Sequence, residues 1–128
     1  MPTQRSSWIW VDLSPTIAVA NQNQTIVKPA PVAGTIKEVW IGINTILTTG
    51  GGTLAVANGS ANVLSSTNYN LGSAGDLAAG VHEAATLNTN TANLRVAAGG
   101  QLKATWVLTT AAITNGAACL VALEPDLW

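Results

Sequence analysis

The residues with the plainest capacity for chemistry are the single histidine, His82, and the acidic residue that follows it, Glu83. In a Ser-His-Asp site, the histidine is a base that a carboxylate orients beside an activated serine. No Gly-x-Ser-x-Gly motif marks such a serine, and a zinc site takes four ligands drawn mostly from His and Cys. We therefore predict a surface-loop histidine in a protein that is not an enzyme and holds no cofactor or metal. A triad of His82 with a serine and one of the three aspartates stays the open alternative.

The single cysteine and a run of three glycines could also belong to a functional site, but both have structural interpretations. Cys119 is the only cysteine, so an internal disulfide is excluded. It lies in the apolar run 117–123, which predicts a small buried side chain. The run Gly50-Gly51-Gly52 lacks the Lys-Ser/Thr that follows the glycines of a phosphate-binding loop, and we predict a hairpin loop there.

The tryptophans are the most informative side chains, because the chain has five of them and no phenylalanine. Trp106 alternates with apolar residues and is expected in the core. Trp8, Trp10 and Trp40 fall on the strand faces that point away from the predicted core. Three interpretations stay open for them: a second layer of the core, a subunit interface and a platform on which sugars stack. The terminal Trp128 is expected to dock against the body.

The composition narrows the class of protein. Charged residues make up 9% of the chain, with five Lys and Arg against six Asp and Glu. This balance excludes a basic nucleic-acid binder and a polybasic membrane-surface module. No stretch approaches the roughly 18 apolar residues of a membrane span. The first seven residues lack the apolar segment of a secretory signal, so we expect synthesis in the cytoplasm.

The same composition predicts an all-β fold. Ala, Thr, Gly and Asn supply 60 of the 128 residues, and Thr suits a pleated surface while Gly and Asn suit tight turns. Seven or eight short candidate strands lie between recurring turn signals, which is typical of a single antiparallel β-sandwich or jelly-roll-like domain. We expect an extended N-terminal arm over residues 1–33 and a sandwich body over residues 34–128.

Two segments carry the strongest strand patterns. In 35–47, period-2 alternation places Val39, Ile41 and Ile43 on an inward face. In 101–109, the alternation places Trp106 among the inward residues. Both segments are predicted to form the centre of the body.

The run from Pro29 to Trp40 resembles a pattern in virion proteins of tailed bacteriophages, where an extended arm enters the first long strand through a Pro-x-x-Gly-x-Ile/Val step. The resemblance continues through a Thr/Gly turn at 48–52, a variable middle at 60–80 and a final hairpin at 101–124. On this pattern the chain looks like the capsid decoration, or cement, proteins and related small β-sandwich head proteins. Many of these carry Asp before the last hairpin, where this chain has Gln101.

The resemblance implies a structural protein of the virion, located on the capsid surface and made in the host cytoplasm. Its partner would be the major capsid protein, whose neighbouring subunits it would clamp as a homotrimer, without binding nucleic acid or membrane. The implied capsid contacts are Arg5, Trp8 and Trp10. The implied oligomer interface contains Trp40, Leu120 and Ala122.

Two alternatives stay open beside this interpretation. One is a phage head-fibre or tail receptor-binding module in which the exposed tryptophans bind glycans. The other is a module from outside phages, either a fragment of a secreted adhesin or a small enzyme.

Overall fold

The computed structural model describes residues 8–16, 22–43, 52–66, 68–71, 82–108 and 117–126. These residues form ten strands and one short 3₁₀ helix, Thr91–Leu94. The strands are β1 (Ile9–Asp12), β2 (Gln22–Pro29), β3 (Gly34–Ile43), β4 (Gly52–Asn58), β5 (Ala61–Asn62), β6 (Tyr69–Asn70), β7 (His82–Ala84), β8 (Arg95–Val96), β9 (Gln101–Leu108) and β10 (Ala117–Pro125). The composition-based prediction of an all-β chain is confirmed for this part of the protein.

The strands form two antiparallel sheets with jelly-roll connectivity. Sheet A has the order β1-β10-β3, and β7 and β8 pair with the two ends of the far edge of β3. Sheet B has the order β2-β9-β4, with β5 and β6 sharing the far edge of β4 in the same way. Each short pair takes the place of one interrupted strand, which leaves two four-strand layers in the order of a jelly roll. The predicted small sandwich is confirmed.

The described part of residues 1–33 lies within the sandwich. Strand β1 pairs with β10 from Ile9 opposite Leu123 to Asp12 opposite Leu120. Strand β2 pairs with β9 along its whole length. The segment expected to form an arm therefore supplies one edge strand to each sheet, while residues 1–7 lie outside the described residues. Local sequence could not show this, because β1 and β10 are more than a hundred residues apart in the chain and β2 and β9 are more than seventy apart.

The core lies between the sheets, where the sequence predicted it. Val39, Ile41 and Ile43 are all buried on the inner face of β3. Sheet B contributes inward side chains from β4 and β9, among them Leu54 and Trp106. The buried Cys119 belongs to the same cluster, as its apolar surroundings predicted.

Trp106 joins the two sheets through both packing and a hydrogen bond. Its ring is completely buried in the core, as predicted. Its indole Nε1–H donates to the backbone oxygen of Leu13, at 3.0 Å. Leu13 is also buried and follows β1 directly, and its own N–H donates to the backbone oxygen of Cys119 at 2.8 Å. One side chain of sheet B thereby fixes the exit of the first strand of sheet A.

Asparagine side chains hold the loops at one end of the sandwich. The Asn58 amide donates to the backbone oxygens of Asn93, at 3.1 Å, and Arg95, at 2.6 Å. The amides of Asn88 and Asn93 both donate to the backbone oxygen of Asn62, at 3.1 and 3.0 Å. These bonds connect β4 and β5 to the segment around the 3₁₀ helix, so uncharged amides supply hydrogen-bond donors to backbone oxygens at this end of the sandwich.

Replacement of Trp106 by Phe is expected to lower the free energy of unfolding by about 2–4 kcal/mol. The smaller ring leaves a void, and the Leu13 carbonyl loses its donor in a buried position. Urea denaturation followed by circular dichroism measures the change. Trp10→Phe is the matched control, and it is expected to change stability by less than about 0.5 kcal/mol because Trp10 is exposed. Equal effects of the two variants would contradict the assigned role of Trp106.

Replacement of Gly34 by Ala is expected to lower the free energy of unfolding by about 1–3 kcal/mol. Gly34 starts β3 opposite Pro125, and a methyl group there would overlap the backbone oxygen of Glu124. Gly59→Ala is the comparison variant, because its methyl group meets nothing within 4 Å and only its positive φ of 64° opposes the change. A Gly34→Ala variant as stable as the parent in urea denaturation would show that the strands do not approach so closely.

Candidate functional site

The outer face of sheet A carries most of the residues that the sequence singled out. Residues two apart in a strand share one face, so the inward Val11 and Val121 leave their strand neighbours pointing outward. We call this surface the tryptophan face. It consists of Trp8, Trp10 and Asp12 from β1 and the residue before it, Glu38 and Trp40 from β3, and Leu120, Ala122 and Glu124 from β10.

Strand pairing arranges the tryptophan face in rows across the sheet. Trp10 stands opposite Ala122, which stands opposite Glu38. In the next row Leu120 lies between β1 and Trp40. Neighbouring strands lie about 4.8 Å apart, so Ala122 on β10 is flanked by Trp10 on β1 and by Glu38 on β3, with Trp40 in the adjacent row.

Two indole rings on this face are held by carboxylates. Trp40 Nε1–H donates to Glu38 Oε2 at 2.7 Å. Trp8 Nε1–H donates to Glu124 Oε2 at 3.2 Å, and Lys37 Nζ lies 3.8 Å from Glu124 Oε1. Both rings are partly buried. Each bond satisfies the one polar atom of an indole, so the rings are oriented before any partner arrives.

Trp10 is the open part of the tryptophan face. Its side chain is 40% exposed, and among the described residues the other exposed large hydrophobic side chain is Val27, on sheet B. Ala122, beside Trp10, has no exposed surface. Exposed tryptophan is unusual in a folded domain and is enriched at the centres of binding interfaces. Trp10 is therefore the side chain of this face best placed to contact a partner.

The structure merges two sets of residues that sequence reasoning kept apart. Trp8 and Trp10 were expected at a capsid contact, and Trp40 and Leu120 at an oligomer interface. All four lie on the tryptophan face, so one partner placed there would cover both sets. Sequence reasoning also missed Glu38 and Glu124 as the groups that orient the indoles. The signal available for Glu38 was its position two residues before Trp40.

Four of the residues that the sequence singled out need separate comment. Ala122 cannot itself meet a partner, because it is already buried within the chain. Arg5 and Trp128 lie outside the described residues. The prediction that His82 lies in a loop is wrong, since its backbone starts β7 opposite Gly42. A three-residue strand without apolar alternation gave no local signal for this pairing.

In the part of the chain that the structure describes, three observations concern metal binding, thiol reactivity and membrane insertion. There, no three His, Cys, Asp or Glu side chains come together as a metal site would require. Burial raises the pKa of the Cys119 thiol to about 12, which removes the thiolate that nucleophilic chemistry needs. Across the described residues, no helix has the length and apolar character to cross a membrane.

An ion pair closes one end of sheet A, where β8 and the residue after β10 meet. Arg95 donates to both carboxylate oxygens of Asp126, at 2.7 and 2.8 Å, and also to Thr35 Oγ1 at 2.9 Å. The Asp126 N–H donates to the backbone oxygen of Ala33 at 3.1 Å. The hydrogen bonds from Arg95 lower the pKa of Asp126, and the same bonds raise the pKa of Arg95.

The pair predicts a pH dependence of stability. Folding lowers the pKa of Asp126. Its contribution to the free energy of unfolding is therefore present above the pKa of the unfolded chain, near 4, and is lost as the pH falls through the pKa of the folded protein. Asp126→Asn is expected to lower the melting temperature slightly at pH 7 and to flatten its decline between pH 5 and 2. Thermal unfolding at several pH values measures this. Arg95→Gln should act alike, and an unchanged acid limb in both variants would contradict the prediction.

Comparison with known proteins adds no counterpart for the tryptophan face. No protein-family model matches the chain, and no curated protein or solved structure matches it either.

Proposed function

We propose that this protein is a structural virion protein, a decoration or cement protein that binds the assembled phage head and clamps neighbouring major capsid subunits. Three features support the proposal. The sequence resembles such proteins over residues 29–124, the jelly roll is an architecture of viral capsid domains as well as of lectins, and the tryptophan face offers a contact surface. Since a fold hosts many functions, the exposed Trp10 is the observation that carries the proposal.

The proposed mechanism is burial of surface without a catalytic step or cofactor. A specific interface buries about 1,600 Å² in total, and tryptophan supplies a large area with few rotatable bonds. Glu38 and Glu124 already orient Trp40 and Trp8, which lowers the entropic cost of ordering them on binding. Because many copies bind one capsid lattice, the total binding strength exceeds that of a single contact.

We assign the tryptophan face to the capsid, because Trp10, its most exposed aromatic residue, was expected there. Arg5, three residues before Trp8 in the chain, remains part of the proposed contact. The homotrimer stays in the proposal, but its interface then lies elsewhere than at Trp40 and Leu120. The protein would act on the outside of the capsid after synthesis in the host cytoplasm, with no contact to nucleic acid or membrane.

The proposal is tested by cosedimentation with expanded heads that lack the protein. Trp10→Ala is expected to weaken binding at least about tenfold, the loss typical of a central interface tryptophan. Val27→Ala is the matched control, because it truncates the exposed hydrophobic residue of sheet B. If the parent protein does not sediment with heads, the proposed function is wrong. If Trp10→Ala binds as the parent does, the assigned face is wrong.

The N-terminal part of the contact needs a short deletion. Removal of residues 1–13 would also remove β1 and the buried Val11 and Leu13, and would damage the fold. Removal of residues 1–7 deletes Arg5 and leaves Trp8 and β1 in place. In the same assay, this shorter variant separates the contribution of Arg5 from that of the tryptophan face.

A receptor-binding module that takes up glycans is the second candidate. The observation in its favour is that Asp12 and Glu38 share the face with the exposed Trp10. A sugar stacks its apolar side on an indole ring and donates its hydroxyl groups to carboxylates. A neutral oligosaccharide that displaces the protein from heads, or binds it in their absence, would favour this candidate.

A further inference from the structure

The two layers of the sandwich carry opposite charge. The strands of sheet A contain four acidic and two basic residues, whereas those of sheet B contain two lysines and no acidic residue. The acidic residues of sheet A are Asp12, Glu38, Glu83 and Glu124, and the lysines of sheet B are Lys28 and Lys103. In a chain with a net charge of only −1, this is a separation of charge between layers rather than an excess.

Three of the acidic residues lie among the aromatic rings of the tryptophan face. Glu38 shares a row with Trp10, and Asp12 lies two residues after Trp10 on the same strand face. Hydrogen bonds from the Ser14 hydroxyl and the Ser14 N–H, the latter at 2.8 Å, lower the pKa of Asp12. The exposed indole is therefore bordered by carboxylates along its strand and across the sheet.

We infer that the tryptophan face binds a protein surface that presents a lysine or arginine side chain against Trp10. An indole is the best aromatic partner for a cation, which it attracts through the negative face of its π system. A carboxylate beside the ring adds a charge-assisted hydrogen bond to the same cation. The inference rests on the proposed function only in naming the capsid protein as the owner of that cation.

A second copy of the chain fits this face poorly. The face has three carboxylates, of which Glu124 is paired with Lys37, so Asp12 and Glu38 leave it with an excess of negative charge. Two tryptophan faces placed together would bring these excess charges against each other, and like charges oppose such a contact. The basic side chain Lys103 lies on the opposite layer. If the tryptophan face of one copy met the opposite layer of the next, the two contact surfaces of each copy would point in opposite directions. Such a contact would repeat from copy to copy as an open stack. A cationic surface on a different protein meets neither obstacle.

The experiment follows the indole N–H signals of the ¹⁵N-labelled full chain by NMR while a tetra-arginine peptide is added. Tetra-glutamate and the neutral sugar maltotetraose are added to separate samples. The signals of Trp10 and its neighbours on the face are expected to move with tetra-arginine alone. The Trp106 signal is the internal reference, because that ring is buried and its N–H is bonded to Leu13.

Glu38→Gln is the decisive variant, because a glutamine oxygen can still accept the Trp40 N–H while the negative charge is gone. It is expected to weaken tetra-arginine binding about two- to fivefold, which is the range of one exposed cation–π or ion-pair contact. Lys103→Gln removes a charge from the other layer and is the matched control, with no loss of affinity expected.

Each other outcome overturns the inference. These outcomes are no shift with tetra-arginine, a larger shift with maltotetraose, and shifts that grow with protein concentration before any peptide is added, which would indicate a second copy. Unweakened binding by Glu38→Gln would also overturn it. Cosedimentation with heads tests the proposed function separately. Heads bound without a peptide response leave the function standing and the inference wrong, and the converse result leaves the inference standing alone.

Discussion

The last strand, β10, is apolar on both of its faces, and the rest of sheet A depends on how those two faces are covered. Its inward residues, including Cys119 and Val121, pack in the core between the sheets. Its outward residues Leu120 and Ala122 lie between β1 and β3. A central strand of this kind needs a neighbour on each side and a covered outer surface. The N-terminal strand β1 supplies one neighbour and also brings tryptophans to the outer face.

Aromatic and acidic side chains alternate on that outer face, and together they form the tryptophan face. The indoles of Trp8 and Trp40 are tied to carboxylates and are partly buried. Trp10, the third indole of this face, is 40% exposed to solvent. The same carboxylates that orient the rings make the layer acidic. The hydrogen bonds that orient the rings and the negative charge of this face therefore come from the same few side chains.

Outside the tryptophan face, hydrogen bonds from uncharged side chains stabilise the loops and the contact between the sheets. Asparagine amides hold the loops at one end of the sandwich, and the Trp106 indole reaches across the core to the Leu13 carbonyl. The bidentate Arg95–Asp126 pair closes an edge of sheet A. Buried polar groups must be hydrogen-bonded whether or not charges are available. The high Asn and Thr content is thus consistent with a fold that satisfies its backbone through neutral groups.

The sequence by itself determined the all-β class, the inward faces of β3 and β9, and the burial of Trp106 and Cys119, because alternation along a strand is a local property with a period of two. Tertiary structure decided which strands are neighbours. It put β1 beside β10, placed His82 in a strand, and gathered Trp10 and Trp40 onto one face. Pairing between distant strands depends on which arrangement of the whole chain buries the most apolar surface. A short stretch of sequence does not contain the distant residues that decide between the alternative pairings.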